Sequence, residues 1–191
     1  MRTGAALAAA LLLTGLTAVP AHAGTTTART GTLTYSCTYP GVAPLTSTFA
    51  GSLTAPDPVS SGYPFTVSGI QLSHVLSPAV RSLFVAAGYD RVRGSFAATI
   101  TATNANPAAA PITGSVPEQS ITNSGSLTFT EQAPDVTFTA GTPGSIVFGL
   151  GTPITESLQF HKKTADAWLP MQSVCTPRSP GTAFQPGITV L

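Results

Sequence analysis

The sequence predicts an all-β domain, an antiparallel β-sandwich of immunoglobulin-like type with one short α-helix. Three observations predict it. The 191 residues include 18 Gly and 17 Pro, and Ser and Thr make up about a quarter, a composition suited to strands and turns rather than helices. Apolar residues recur with period two in short runs, each closed by Gly, Pro, Asn or Ser. A single segment switches to the helical period.

Residues 1–23 have the make-up of an export signal. Arg2 is the positive n-region, Ala5 to Val19 the apolar stretch, and Ala21-His22-Ala23 fits the small-x-small cleavage rule. Cleavage after Ala23 leaves about 168 residues, one domain's worth. The apolar stretch is shorter than the ~20 residues of a bilayer span, so no membrane span is expected in the mature form. The expected location is secreted, extracellular or envelope-associated.

Residues 24–32 are small, polar and aperiodic, and are expected to be a flexible leader. The domain is expected to occupy 33–176. Leu33, Tyr35, Cys37 and Tyr39 alternate with polar residues, as do Leu45, Phe49 and Leu53, so each run reads as a strand with one buried face. Phe65, Val67, Ile70 and Leu72 continue the pattern around Gly69.

After Ser77 the spacing changes. Pro78 is followed by Val80, Leu83, Phe84 and Ala87 at i, i+3, i+4, i+7, and Gly88 follows, which predicts a helix over Pro78 to Ala87 with Ser77 as N-cap. Strands resume from Val92 to Ala102. Further short strands are centred on Leu127 to Phe129, Val136 to Phe138, Ile146 to Phe148 and Leu158 to Phe160, with a last one through Met171 to Cys175. Residues 177–191 read as a proline-rich tail with no core role.

Cys37 and Cys175 are the only cysteines. In an oxidising compartment a pair is the default, and one disulfide between the two ends of the domain is expected. Two buried thiols are the alternative.

The motifs YSCTYP (Tyr35 to Pro40), Val116-Pro117, NSGSLTFT (Asn123 to Thr130), AGTPGSIVFGLG (Ala140 to Gly151) and the closing Cys175 together resemble an uncharacterised family of secreted or cell-surface domains from actinobacteria. The resemblance implies an envelope-associated β domain and brings no catalytic residue with it. It departs after Cys175, where residues 176–181 replace a turn of Asp-Pro-Gly type.

Charge excludes some functions. After residue 23, seven Arg and Lys balance seven Asp and Glu, so the basic stripe that a nucleic-acid binder needs is missing. The seven acids are Asp57, Asp90, Glu118, Glu131, Asp135, Glu156 and Asp166. Most flank Pro or Gly and read as turn residues, although two converging carboxylates would suffice for glycoside hydrolysis.

His161, Asp166 and a serine can be drawn as a triad, but without a GxSxG motif the pattern is weak, and a solvated His at a strand end is favoured. An alternative cleavage after Ala21 would leave His22 as an N-terminal copper ligand, which the polar leader disfavours. No metal or other cofactor is expected.

Trp168 lies among Ala167, Leu169 and Met171, which favours packing at the core edge over a sugar platform built with Tyr39, Tyr63 and Tyr89. The Thr-x-Thr runs read as solvent-facing strand positions. His161-Lys162-Lys163 reads as a basic hairpin tip able to touch anionic wall polymer. The functional expectation is a non-enzymatic extracellular module, binding or structural, with cell-wall polymer or an extracellular protein as partner; the alternative is a small secreted hydrolase acting on polysaccharide or ester.

Overall fold

The computed structural model describes residues 24–40, 42–178 and 181–191. The signal sequence expected over 1–23 lies outside the described residues. The elements are β1 (Gly24–Arg29), β2 (Leu33–Tyr39), β3 (Val42–Asp57), β4 (Pro64–Leu76), α1 (Pro78–Ala86), β5 (Tyr89–Ala102), β6 (Ala105–Asn106), β7 (Ala109–Ser120), β8 (Leu127–Gln132), β9 (Val136–Ala140), β10 (Gly144–Ile146), β11 (Phe148–Leu150), β12 (Ile154–Lys162), β13 (Ala167–Pro177) and β14 (Ile188–Val190). The class is all-β and antiparallel with one short helix, as the alternation predicts.

The strand pairings run in a ring. β3, β2, β13, β12, β5, β7, β8 and β4 are neighbours in that order, and β4 pairs with β3 again between Ser47↔Leu76 and Thr54↔Ser68. The sheet thereby closes on itself, which satisfies strand edges that would otherwise be open to pairing. The β7–β8 seam is the thinnest, with the single register pair Ser115↔Gln132.

The helix starts where the sequence places it. Ser77 accepts a hydrogen bond from the Val80 backbone N–H, Pro78 opens the first turn, and Gly88 follows at φ +82°, a conformation that disfavours any side chain. Its buried stripe is narrower than the spacing suggests: Val80 and Phe84 are buried, whereas Leu83 is 59% exposed. Arg81 takes its place in the interior by donating from Nε to the Gly125 carbonyl.

Both chain ends depart from expectation. Gly24–Arg29 is not a loose leader but strand β1, paired over all six residues with the second half of β3. The reason is the length of β3, whose first half pairs with β2 and leaves the second half an open edge that a polar segment can fill through backbone hydrogen bonds.

The 177–191 segment also has a core role. Phe184 is fully buried against Gly51, Ile188 and Val190 are buried, and β14 pairs with β10. The Thr189 backbone N–H donates to Asp57 Oδ1 at 2.9 Å, which helps hold that carboxyl below its ordinary pKa.

The interior separates into two apolar clusters. One contains Phe49, Leu72, Phe96, Phe148 and the disulfide, the other Leu76, Phe84, Phe129, Leu158 and Phe160. Partly buried Leu45 and Met171 pack against both, and the Tyr39 ring of the first meets Phe84 of the second edge-on.

Candidate functional sites

The expected disulfide is formed. Cys37 and Cys175 are opposite each other in the β2–β13 pair, both fully buried, so the bridge ties the first strand of the ring to the last.

The outer face of β5, β12 and β13 carries the most organised surface chemistry. Arg91, His161 and Trp168 lie opposite one another across the three strands, and Arg93, Gln159 and Pro170 form the next row. The Arg93 guanidinium carbon is 4.1 Å from the Trp168 ring centroid and that of Arg91 is 5.3 Å, both within cation–π range. Arg93 Nε donates to Gln159 Oε1, and Arg91 Nη1 donates to Glu118 Oε1, each at 3.0 Å.

Trp168 is therefore half-buried on the outside of the sheet, against Arg91, Arg93 and His161, rather than packed at the core edge. Strand parity explains it: Ser173 and Cys175 face inward, and the Trp168↔His161 pairing holds its ring over the outer guanidinium groups. The tyrosines do not join it. Tyr39 is buried, Tyr63 is 68% exposed elsewhere, and Tyr89 packs on Phe84 and Phe160. Beside the Trp168 row an open groove of about 400 Å³ is lined by Ser95, Ser157, Gln159, Pro170 and Gln172, among others.

His161 and Asp166 do meet, without a serine. Asp166 Oδ1 lies 3.0 Å from His161 Nε2 and Asp90 Oδ1 lies 2.6 Å from Nδ1, so both ring nitrogens are engaged by carboxylates. An imidazole held in this way has no nitrogen left to take a proton from a nucleophile. The hydrogen bond to Asp90 raises the His161 pKa, and the same bond lowers that of Asp90. Lys163 begins the turn between β12 and β13, as expected of the basic tip.

The second site is inside the ring, and the sequence reading missed it. His74 of β4, Glu131 of β8, Glu156 of β12 and Ser173 of β13 all face inward at exposures of 1% or less. His74 Nδ1 lies 2.5 Å from Glu156 Oε1, and Ser173 Oγ donates to Glu156 Oε2 at 2.5 Å. Phe49 stacks on the His74 ring at 4.1 Å and Phe129 meets it edge-on.

These polar residues form a layer between the two apolar clusters. Leu72 and Leu76 flank His74 from opposite clusters, and Ile154 and Leu158 flank Glu156 in the same way. Ser47 and Tyr39 complete the layer, and burial together with the Glu156 charge pushes the Tyr39 hydroxyl far above its ordinary pKa.

The two acids differ. Burial would raise Glu156, but the His74 charge and the hydrogen bonds from His74, Glu131 and Ser173 outweigh it and bring its pKa down to about 2. Glu131 is pushed well above the usual carboxylate range by burial and by the neighbouring Glu156 charge. The protonated Glu131 carboxyl is hydrogen-bonded to Glu156, and the Tyr39 hydroxyl to Ser47 and Ser173, whereas His74 Nε2 is buried with no hydrogen-bond partner. One donor atom each from His74, Glu131 and Glu156 gathers within 4.8 Å, a set able to hold a cation.

The signal for this layer was available in the alternation itself. Each residue occupies an inward position of its strand: His74 follows Ile70 and Leu72, Glu131 follows Leu127 and Phe129, and Glu156 sits between Ile154 and Leu158. A polar residue on the apolar face of a strand marks a buried polar group.

Residues 34–184, from the strand that opens the ring to Phe184, match the model of a family of unknown function, DUF6801. The chain belongs to DUF6801. The DUF6801 match takes in both sites and the Phe184 anchor of the C-terminal segment. No curated protein and no solved structure matches the chain.

Proposed function

We propose that this DUF6801 protein is an exported, non-enzymatic module of the cell surface or extracellular space, which binds anionic wall polymer through the outer face of β5, β12 and β13. The observation that carries the reading is the Trp168 ring set against Arg91 and Arg93 beside an open polar groove. An aromatic face offers a sugar ring an apolar contact, the guanidinium groups offer paired donors to phosphate or carboxylate, and Gln159 and Gln172 offer amides to hydroxyls. Lys162 and Lys163 at the hairpin tip add positive charge next to His161. The N-terminal 23 residues supply the export route, and the disulfide suits an oxidising compartment.

The competing hydrolase reading needs two of the seven acids to converge, and Glu131 and Glu156 are such a pair. Those two acids lie in the sealed interior rather than in the groove, which supports the binding module.

Sedimentation of the purified mature protein with cell walls tests the proposal. Binding is expected to weaken with added salt, and Trp168→Ala and Arg93→Ala are each expected to reduce it by about tenfold. Equal retention of wild type and both variants on walls would overturn it, as would turnover of a polysaccharide or ester that Glu156→Gln abolishes.

A further inference from the structure

The interior layer raises a question that packing does not answer. His74 Nε2 is buried with no hydrogen-bond partner, in a layer that also holds two fully buried carboxyls. A buried polar atom left unsatisfied costs about 1–3 kcal/mol, so this nitrogen, together with the convergence of three donors, points to a missing occupant. The acids are joined by the His74 imidazole, and Phe49, Phe129 and the disulfide surround it.

We propose that His74, Glu131 and Glu156 bind one divalent first-row transition ion, Zn²⁺ or Mn²⁺, enclosed within the strand ring. The donor chemistry selects the ion. Two carboxylates supply the charge that a dication requires, and the imidazole favours a transition ion over Ca²⁺ or Mg²⁺. The three donor atoms lie within 4.8 Å of one another, whereas ligands of one ion sit about 3–4 Å apart, so side-chain adjustments of about an ångström complete the set. Ser173, already bonded to Glu156 Oε2, orients that carboxylate from outside the ligand set, and Ser47 and Tyr39 place further oxygen atoms in the layer.

Enclosure sets the kinetics. All three donors are at most 1% exposed, so the ion enters as the ring closes during folding and leaves when the ring opens. The site is structural, independent of the outer face, and joins β4 and β8 to β12, which lies beyond the thin β7–β8 seam by way of β5.

The test starts from mature protein with its disulfide intact, unfolded in concentrated guanidinium with chelator and refolded with Zn²⁺, with Mn²⁺ or with chelator alone. After native dialysis against chelator, elemental analysis is expected to find about one equivalent of Zn²⁺ or Mn²⁺ per chain, with Tm several degrees above that of the chelator-refolded protein. Glu131→Gln, refolded identically, is expected to retain at least about tenfold less, while Glu118→Gln, an exposed acid on the outer surface, retains as much as wild type.

X-ray absorption on the loaded wild type gives a readout that does not depend on any variant folding: an imidazole and oxygen donors, without sulfur, are expected. The proposal is overturned if natively folded wild type retains less than about a tenth of an equivalent of both ions. It is also overturned if a folded Glu131→Gln retains the wild-type amount, or if the absorption spectrum lacks imidazole.

Discussion

Glu156 and Ser173 face each other across the β12–β13 pair, and the Ser173 hydroxyl donates to Glu156 Oε2 at 2.5 Å while His74 holds the other oxygen. A carboxylate buried at 1% exposure is tolerated because each oxygen has a donor. Ser173→Ala is expected to cost about 1–3 kcal/mol, the desolvation of one orphaned oxygen. Glu156→Ala, which strands His74, is expected to cost about 3–5 kcal/mol. Urea denaturation at neutral pH checks both, and equal effects would show that the layer does not act through this hydrogen bond.

The two acids predict opposite pH behaviour in the metal-free protein. Glu156 is depressed to about 2, so its contribution is present above its unfolded pKa and is lost as pH falls from about 4.5 toward 2. Glu131 is raised, so the native state keeps a proton that the unfolded chain releases. Its contribution is present below about 4.5 and declines as pH rises toward its native pKa. Chelator-refolded wild type is therefore expected to lose stability between pH 5 and pH 8 relative to Glu131→Gln, a difference that denaturation at about five pH values measures.

His161 supplies a second pH-dependent pair on the surface. Its pKa is raised by Asp90, so the stabilisation is complete below the unfolded value near 6.5 and is lost as pH rises through the higher native value. Asp90→Asn is expected to lower the His161 titration midpoint, read from its ring-proton chemical shifts. An unchanged midpoint would mean that the Asp90 hydrogen bond does not govern it.

The Cys37–Cys175 bridge spans 138 residues of sequence and joins strands that are already paired. Closing so long a loop in the unfolded chain stabilises by up to about 5 kcal/mol in the chain-entropy model. Replacing both cysteines by Ala is expected to lower Tm by several degrees or more. An unchanged Tm would place the bridge's effect in the unfolded ensemble at close to nothing.

Phe184 decides whether the C-terminal segment is part of the domain. Its ring is fully buried and fills the space that Gly51 leaves between strands. Phe184→Ala is expected to cost about 3–5 kcal/mol, and removal of residues 177–191 is expected to cost more. A truncated chain with wild-type stability would restore the reading of a dispensable tail.

Several parts of this architecture are local properties. Ser77, Pro78 and Gly88 mark the helix because capping, a fixed φ and a positive φ are decided within a few residues. Leu33 to Tyr39 and Val92 to Ala102 show their buried faces because alternation needs only the strand itself. The helix, the cysteine pairing and the strands with clear apolar alternation were legible for that reason.

Other parts depend on which strands meet. Gly24–Arg29 has no apolar pattern and became a strand only because β3 is long enough to offer it an edge. Glu131 and Glu156, 25 residues apart in sequence, lie on inward faces of their strands, and no local rule brings them to His74. Trp168 lies outside the ring, where Arg91 and Arg93 of a strand more than 70 residues earlier reach it. By itself the sequence determined the class, the helix and which strand faces are apolar, because those follow from backbone sterics and the burial of alternate side chains. Closing the ring decided the contents of the interior layer and the outer platform, because only long-range strand register sets which side chains share a level.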